Sequence, residues 1–351
     1  MPDSAFDQTP AAFSNEESRI VARAGELVAA GNFRAAIDYV TDANRTLHSP
    51  ELERRLVGLR AEAFPSIDRS SGLVSWPAKY PDPFPGLHGL PEIDASELTV
   101  EIMAGAFQHH GALWVHGLVS PVETEYLRTG IERAFAARDA HYAGAPANET
   151  NPWYSQIMIE NGVGMARGWV EGGGGVWTAD SPRMMAELIQ FFLDKGVIDL
   201  IGNYLGERPA LSVGKSTLRR VPCTSSTDWH QDGAFLGSDV RTVNVWIALS
   251  DCGVDAPGLD LVGQRLDYIV PPGTHGAAFD WSVGPGAVDL LEQDGAPVVS
   301  PAFKAGDAMF FDQMMLHRTG VRPGMTKSRF AIESWFFAPS TYPIEQGPLV
   351  I

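Results

Sequence analysis

The chain has 351 residues, of which 44% are hydrophobic, and this is enough apolar material for a substantial core. It carries 26 Lys and Arg against 43 Asp and Glu, a formal net charge of -17, and such a surface would repel the phosphates of a nucleic acid. The cysteines, Cys223 and Cys252, are too few for a disulfide framework and lack the CxxC spacing of a zinc or thiol redox site. We therefore expect a small-molecule partner, no nucleic acid and a reducing compartment.

The N-terminal sequence, MPDSAFDQTP, has neither the basic region nor the apolar region of a signal peptide. The sequence also contains no run of about 18 apolar residues, the length that a membrane-spanning helix needs. These two observations predict a cytoplasmic protein that does not associate with a membrane.

Residues 1–72 are predicted to form a helical extension. Ile20, Ala24 and Leu27 follow helical spacing up to a break at Gly31, and the small and aromatic residues after the break resemble one tetratricopeptide-type helix pair. A single pair cannot bury its own apolar face. We expect the pair to pack on the rest of the chain, and a homodimer or partner interface through these helices is the alternative.

The next segment, residues 73–95, is rich in Pro and Gly (WPAKYPDPFPGLHGLPEI) and is predicted to be an irregular connector. The third segment, residues 96–351, opens with a helix over 96–110, a short buried strand over 112–116 and a helix over 121–137. The chain is thus divided into a helical extension, a connector and one large domain.

Beyond Ala210 the sequence changes to short apolar runs separated by Gly, Pro and Asp. These runs are LSVGKSTLRRV, TVNVWIALS, LDYIV, APVVS, DAMFFD and SRFAIESWFF. Helical crossovers are missing between them, so the pattern favours a sandwich or jelly roll over a doubly wound sheet. The predicted fold class is mainly β with flanking helices.

The glycine-rich run at 172–175 lacks the Lys-Ser/Thr pair of a phosphate-binding loop. Since glycine gives the backbone freedom, the run between Trp169 and Trp177 is predicted to be a mobile loop that acts as a lid over a pocket.

His230 and Asp232 are separated by one residue, so on an extended strand both side chains would lie on the same face and could bind one ion. A third ligand has to come from a distant segment, and His317 follows the apolar run AMFFDQMML. Two imidazoles and one carboxylate leave about three octahedral positions open, an arrangement associated with Fe(II) oxygenases.

Arg329 lies in the apolar run SRFAIESWFF, where an unpaired buried charge would be costly. The guanidinium group matches a carboxylate through two parallel hydrogen bonds, so a dicarboxylate such as 2-oxoglutarate is a suitable partner. The alternative is a salt bridge from Arg329 to Glu333 or to another acidic residue.

The segments TDWHQDGAF, VNVWIALSD, DAMFFDQMMLHRTG and SRFAIESWF resemble successive landmarks of the phytanoyl-CoA dioxygenase family, and the resemblance extends over residues 106–339. It implies a double-stranded β-helix, which is a cupin-like jelly roll, that uses Fe(II), 2-oxoglutarate and O2. Arg329 lies twelve residues after His317, one more than is usual in the family, and the usual PGSH-like turn is replaced by GLDLVGQRLDYIV. This second departure leaves the substrate subfamily open.

The resemblance also implies roles for individual residues. His230, Asp232 and His317 would bind iron, and Arg329 with Thr319 would bind the C5 carboxylate of 2-oxoglutarate. Further candidates for co-substrate contacts are Lys215, Thr217 and Arg219, although the two basic residues could instead face solvent on an edge strand. Candidates for the substrate pocket are Trp153, Tyr154, Trp169, Trp177, Asn244 and Trp246, and the alternative is that the aromatic residues are ordinary core residues.

The expected reaction is hydroxylation of an unactivated C–H bond of a small organic substrate, with release of succinate and CO2. Asp232 disfavours halogenation, because a carboxylate ligand leaves no position for a halide. The alternatives are a metal-binding jelly roll with hydrolase or isomerase activity and a non-enzymatic binding module.

Overall fold

The computed structural model describes residues 15–73, 75–144, 151–158 and 167–351. Its helices are α1 (Asn15–Ala29), α2 (Phe33–Leu47), α3 (Pro50–Ala63), α4 (Val100–His110), α5 (Pro121–Tyr142), α6 (Arg167–Gly172), α7 (Pro182–Asp194), α8 (Val197–Leu205), α9 (Gly233–Leu236) and α10 (Pro285–Gln293). Its strands are β1 (Glu92–Asp94), β2 (Ala112–His116), β3 (Gly175–Trp177), β4 (Ala210–Ser212), β5 (Thr217–Val221), β6 (Thr242–Ala248), β7 (Gly258–Val262), β8 (Val298–Val299), β9 (Ala308–Phe311), β10 (His317–Gly320), β11 (Arg329–Phe337) and β12 (Pro348–Val350). Within the described residues, no helix is both long enough and apolar enough to cross a bilayer.

The N-terminal helices form a three-helix unit that packs on the rest of the chain. The predicted pair is extended by α3, which begins at Pro50 because the Ser49 hydroxyl accepts a hydrogen bond from the Leu52 backbone N–H. Ile37 and Val40 are buried in an apolar cluster that also includes side chains of β4 and β12. The apolar face of the extension is therefore covered within one chain, with α3 lying against α7 and β12.

The predicted helix–strand–helix entry is present as α4, β2 and α5. The helix predicted from residue 96 begins at Val100 instead, because Thr99 is its N-cap and residues 95–97 form a short 3-10 turn. A capping box between Ser120 and Glu123 starts α5, which continues to Tyr142.

The strands form a mixed nine-stranded sheet and a separate three-stranded sheet, with helices flanking the larger one. The large sheet has the order β1-β2-β9-β6-β11-β4-β12, with β5 paired to β11 and β3 paired to β5. The small sheet has the order β10-β7-β8. One face of β6, β9 and β11 packs on helices α4, α5, α7 and α8, and the opposite face shares a second apolar cluster with β7. This second cluster lies between the two sheets and adjoins the site described below.

Two of the predicted strands differ in the structure. The run LSVGKSTLRRV is broken into β4 and β5, with Lys215 in the turn between them. The run LDYIV is not a strand, because Gln231 satisfies its backbone groups: its amide nitrogen donates to Tyr268 O at 2.9 Å and its amide oxygen accepts from Val270 N at 2.8 Å. A side chain thus replaces the neighbouring strand.

The glycine-rich run is also more regular than predicted. Residues 172–175 contain the end of α6 and the start of β3, which pairs with β5. Gly174 has a φ of +73°, and a Cβ there would lie 2.6 Å from the carbonyl oxygen of Arg220. The glycine is needed for close approach of two backbones, and in the described residues this run does not form the predicted loop.

Candidate active site

Three side chains that could bind one metal ion converge between the two sheets. The ligand atoms of His230, Asp232 and His317 all lie within 4.8 Å of one another. The backbones of His230 and His317 pair in an antiparallel bridge with N–H to O distances of 2.9 and 3.0 Å. The sequence predicted Asp232 on an extended strand. In the structure the chain turns into α9 at Asp232 instead. The two histidines are therefore held by the backbone bridge and the carboxylate by a helix start.

Glycine is required directly after Asp232. A Cβ on Gly233 would lie 2.9 Å from Ile269 Cδ1 and 3.1 Å from Gln313 O, and the Gly233 backbone N–H donates to that same oxygen at 2.8 Å. The tight turn that places the carboxylate beside the histidines leaves no space for a side chain.

Both imidazole rings present the same nitrogen to the shared space. His230 Nδ1 donates to Asp228 O at 2.8 Å, and His317 Nδ1 donates to Met315 O at 2.9 Å. These bonds leave the Nε2 lone pairs free for a ligand. Burial, assisted by the neighbouring His317, lowers the pKa of His230 to about 4, so this ring is neutral at pH 7.

The two carboxylate oxygens of Asp232 have different neighbours. Lys215 Nζ donates to Asp232 Oδ1 at 2.8 Å, whereas Asp232 Oδ2 lies 3.7 Å from His317 Nε2. Burial alone would raise the pKa of Asp232, but Lys215 and the two histidines outweigh burial and hold this pKa at about 2. Two imidazole nitrogens and one ionised carboxylate oxygen are a donor set that fits Fe(II).

Arg329 is buried and has no acidic partner among the residues that the structure describes. Its Nη1 donates to Gly258 O at 2.8 Å, its guanidinium carbon lies 5.4 Å from the ring centroid of Trp246, and its Nε has no hydrogen-bond partner in the described residues. Burial lowers the pKa of Arg329 to about 10. The alternative salt bridge to Glu333 is not formed, because Glu333 accepts hydrogen bonds from Thr217 and Trp335 instead. A buried guanidinium group with an unused donor fits the carboxylate of a bound molecule.

The three metal-binding candidates and Arg329 share one cavity of about 610 Å³. This volume is in the usual range for small-molecule sites. Ten of the residues predicted from the sequence line this cavity: His230, Asp232, His317, Arg329, Thr319, Arg219, Lys215, Trp169, Trp177 and Trp246.

The remaining predicted residues lie outside the lining of this cavity. Thr217 donates to Glu333, and Trp153 lies beside the guanidinium groups of Arg133 and Arg183. Tyr154 is also outside, and its hydroxyl accepts a hydrogen bond from Gln156. Asn244 is fully buried in β6, and neither of its amide atoms has a hydrogen-bond partner in the described residues.

Sequence reasoning missed several aromatic residues of the cavity. Phe235, Trp281 and Phe311 line it, and the ring of Trp281 lies 6.0 Å from that of His230. Phe311 could have been found from the alternation of β9, since its side chain lies on the same face as Met309. Phe235 and Trp281 lie in a short helix and a loop, where periodicity does not indicate a face.

The family is decided by a sequence match. The phytanoyl-CoA dioxygenase (PhyH) profile matches residues 107–322. The chain belongs to the phytanoyl-CoA dioxygenase family. This family uses Fe(II), 2-oxoglutarate and O2, and these are the cofactor and co-substrates of the protein.

Three solved structures that match this chain are distant from it in sequence. The non-heme alpha ketoglutarate dependent carbocyclase SnoK from nogalamycin biosynthesis is 15% identical with a TM-score of 0.45, and the match covers 70% of this chain and 86% of SnoK. EctD from S. alaskensis, solved with 2-oxoglutarate and 5-hydroxyectoine, is 15% identical with a TM-score of 0.45 over 74% of this chain and 86% of EctD. EvdO2 from Micromonospora carbonacea var. aurantiaca, complexed with 2-oxoglutarate, is 15% identical with a TM-score of 0.40 over 70% of this chain and 90% of EvdO2. No curated protein matches the sequence.

Proposed function

We propose that the protein is a 2-oxoglutarate-dependent dioxygenase that hydroxylates an unactivated C–H bond of a small organic substrate, with release of succinate and CO2. The observation that supports this most strongly is the arrangement of the cavity. His230, Asp232 and His317 converge there, and the same cavity contains Arg329, a buried cation without an acidic partner in the described residues.

His230, Asp232 and His317 would bind the iron from one side and leave about three coordination positions for other ligands. Bound Fe(II), with 2-oxoglutarate and O2, supplies the oxidant that removes hydrogen from the substrate. The chain contributes orientation: the Nδ1 hydrogen bonds fix both imidazole rings, and Lys215 donates to Asp232 Oδ1, which leaves Oδ2 as the oxygen that would bind the metal.

Arg329 would bind the C5 carboxylate of 2-oxoglutarate through its unused donors, and the Thr319 hydroxyl would assist it. Both residues line the cavity, at the start of β11 and within β10. Trp246, Leu259 and Phe311 form the apolar wall at this end and would exclude water, which strengthens the charge-assisted hydrogen bonds.

The two sheets would form a double-stranded β-helix, that is, a cupin-like jelly roll. Two observations support this fold: apolar side chains of β6, β9, β11 and β7 share one cluster, and the backbone bridge between His230 and His317 lies beside the small sheet. Residues 96–351 would be the oxygenase domain, residues 1–72 an extension and residues 73–95 a connector, which is not irregular throughout as predicted because it ends in β1, paired with β2. Removal of the residues before Leu73 tests this division, and a soluble remnant that binds iron but has lost 2-oxoglutarate turnover would contradict it.

Anaerobic titration tests the function directly. Addition of 2-oxoglutarate to the Fe(II)-loaded protein should produce the weak visible charge-transfer band of a chelated keto acid, and O2 should then yield succinate and CO2. A protein that binds one iron ion but shows neither the band nor any succinate would contradict the proposal and favour non-oxidative metal chemistry.

A further inference from the structure

The wall of the cavity formed by β3 and β5 contains hydrogen-bond donors that the proposed use of iron and 2-oxoglutarate leaves unexplained. In the register of these strands, Gly175 lies opposite Arg219 and Trp177 lies opposite Thr217. Trp177 and Arg219 are therefore diagonal neighbours on one face, and both line the cavity.

Both donors lack an acceptor among the residues that the structure describes. Trp177 is 2% exposed, and its indole Nε1 has no hydrogen-bond partner. No carboxylate in the described ranges lies within 4.0 Å of the Arg219 guanidinium group, although this group is close enough to Arg329 to lower the pKa of that residue. An unpartnered buried N–H destabilises the protein, and a bound acceptor would offset this cost.

The glycine-rich run makes space for the Arg219 side chain. A Cβ on Gly175 would lie 3.3 Å from Arg219 Nη1, and a Cβ on Gly173 would lie 3.5 Å from the same atom. The guanidinium group thus lies against bare backbone, and its remaining donors are available to the cavity.

The acidic residues of the cavity do not take up these donors. Glu333 Oε2 accepts from Thr217 Oγ1 at 3.2 Å, and Glu333 Oε1 accepts from Trp335 Nε1 at 3.4 Å. Glu345 lines the cavity but is exposed to solvent. Neither carboxylate is placed to pair with Arg219.

Apart from the solvent-exposed carboxylate of Glu345, the charges of the loaded site leave one positive charge uncompensated. Fe(II) and the 2-oxoglutarate dianion cancel, Lys215 cancels Asp232, and Glu333 compensates only one of Arg219 and Arg329. A desolvated site with excess positive charge is stabilised by a ligand with one negative charge.

The mouth of the same cavity has a large aromatic surface beside the exposed carboxylate of Glu345. Trp169 is 50% exposed and Phe235 is 43% exposed, and both line the cavity together with Trp281. Exposed aromatic surface at the rim of a cavity is typical of a site that binds an apolar ligand.

On the basis of the proposed function, we infer that the prime substrate is a monoanionic carboxylic acid with an aromatic or otherwise apolar body. Arg219 and Trp177 bind its carboxylate, while Trp169, Phe235 and Trp281 contact its body. Arg219 thereby determines specificity for acids, a role separate from that of Arg329 on the co-substrate.

The test uses calorimetry on the protein loaded with Mn(II), which does not support turnover, and with 2-oxoglutarate. The probes are ω-phenylalkanoates of increasing chain length, each with its neutral amide and its cationic amine. We expect at least one acid to bind about tenfold or more tightly than its amide, as expected for a charge-assisted hydrogen bond. Arg219→Gln should abolish this preference, Arg219→Lys should restore part of it, and Trp177→Phe should weaken acid binding a few-fold.

Arg220→Gln is the matched control, because it removes the same charge from the next residue of β5, whose guanidinium group lies 4.5 Å from the ring of Phe135 and outside the cavity. It should keep the preference for acids. The inference is wrong if no acid binds better than its amide, if the amines bind best, or if Arg219→Gln weakens 2-oxoglutarate binding as much as it weakens acid binding. Failure of the wild-type protein to bind Mn(II) and 2-oxoglutarate would instead overturn the proposed function itself.

Discussion

Two buried charged groups of this molecule have opposite surroundings. In the N-terminal extension, Glu53 has a side chain that is 1% exposed, and it forms an ion pair with Arg183 of α7. In the cavity, Arg329 is 2% exposed and has no acidic partner in the described residues. Burial of either charge is costly. Glu53 has a partner within the chain, which points to a structural role. Arg329 needs a bound molecule as its partner, which points to a binding site.

The largest effect is expected from the metal-binding candidates. His317→Ala would remove one of the three proposed protein ligands, so iron affinity should fall by more than the factor of about 10 to 100 that is typical when a supporting residue is lost. Metal analysis of the purified protein, with circular dichroism to verify the fold, measures this effect. His88→Ala, a change of an exposed histidine, should have no effect. Stoichiometric iron in His317→Ala would mean that the third ligand is another residue.

The ion pair of the extension should affect stability and leave the chemistry unchanged. Arg183→Met leaves the Glu53 carboxylate buried without its partner, which should reduce the free energy of unfolding at pH 7 by about 3 kcal/mol. Arg128→Met is the control, because Arg128 pairs with glutamates at the surface and should contribute less than about 1 kcal/mol. A large loss of iron or of 2-oxoglutarate binding in Arg183→Met would show that the two regions are not separate.

This destabilisation should depend on pH. Burial raises the pKa of Glu53 above its ordinary value of 4.5, and Arg183 acts in the opposite direction, so loss of Arg183 raises this pKa further. Above pH 4.5 the folded variant then retains a proton that the unfolded chain has lost. Its stability should therefore decrease as the pH rises through the folded-state pKa. Denaturant unfolding at pH 5 and pH 7 measures this, and an equal loss at both values would contradict it.

Arg329→Lys tests the role of the buried arginine in the cavity. Lysine keeps the positive charge but loses the paired donors, so the KM for 2-oxoglutarate should rise about 10- to 100-fold, equivalent to about 1.5 to 3 kcal/mol, with little change in iron content. Initial rates of succinate formation over a range of 2-oxoglutarate concentrations measure this. An unchanged KM would move the co-substrate anchor to another residue.

The sequence was informative where a polar residue interrupts an apolar run. His317 follows AMFFDQMML and Arg329 begins RFAIESWFF, and the structure places both in one cavity with His230 and Asp232. A polar side chain in such a run is buried, and burial is costly unless the side chain has a specific partner. Its position in the sequence therefore indicates a binding site or another specific contact.

The sequence was less informative for aromatic residues and glycines. Trp153 was selected as a pocket residue and Trp281 was not, because an aromatic side chain is compatible with both a core and a cavity wall, and outside a regular element no periodicity distinguishes them. Gly174 was interpreted as freedom for a lid, whereas the structure uses it for close approach to β5. Glycine is needed at this position because β5 lies next to it, and β5 is distant in sequence, so the sequence around Gly174 does not indicate the contact.

The smallest effect is expected from Thr319→Val, which keeps the shape of the side chain and removes one hydroxyl beside Arg329. Loss of one hydrogen bond from an uncharged donor should raise the KM for 2-oxoglutarate about two- to tenfold. Thr41→Val in α2 is the matched control, because the Thr41 hydroxyl is buried and has no hydrogen-bond partner in the described residues, so its removal should change neither the KM nor the iron content. If Thr319 and Arg329 bind the same carboxylate, the effects of Thr319→Val and Arg329→Lys should be coupled and not additive in free energy. Strict additivity would place the two residues on different groups and would assign Thr319 to the wall of the cavity.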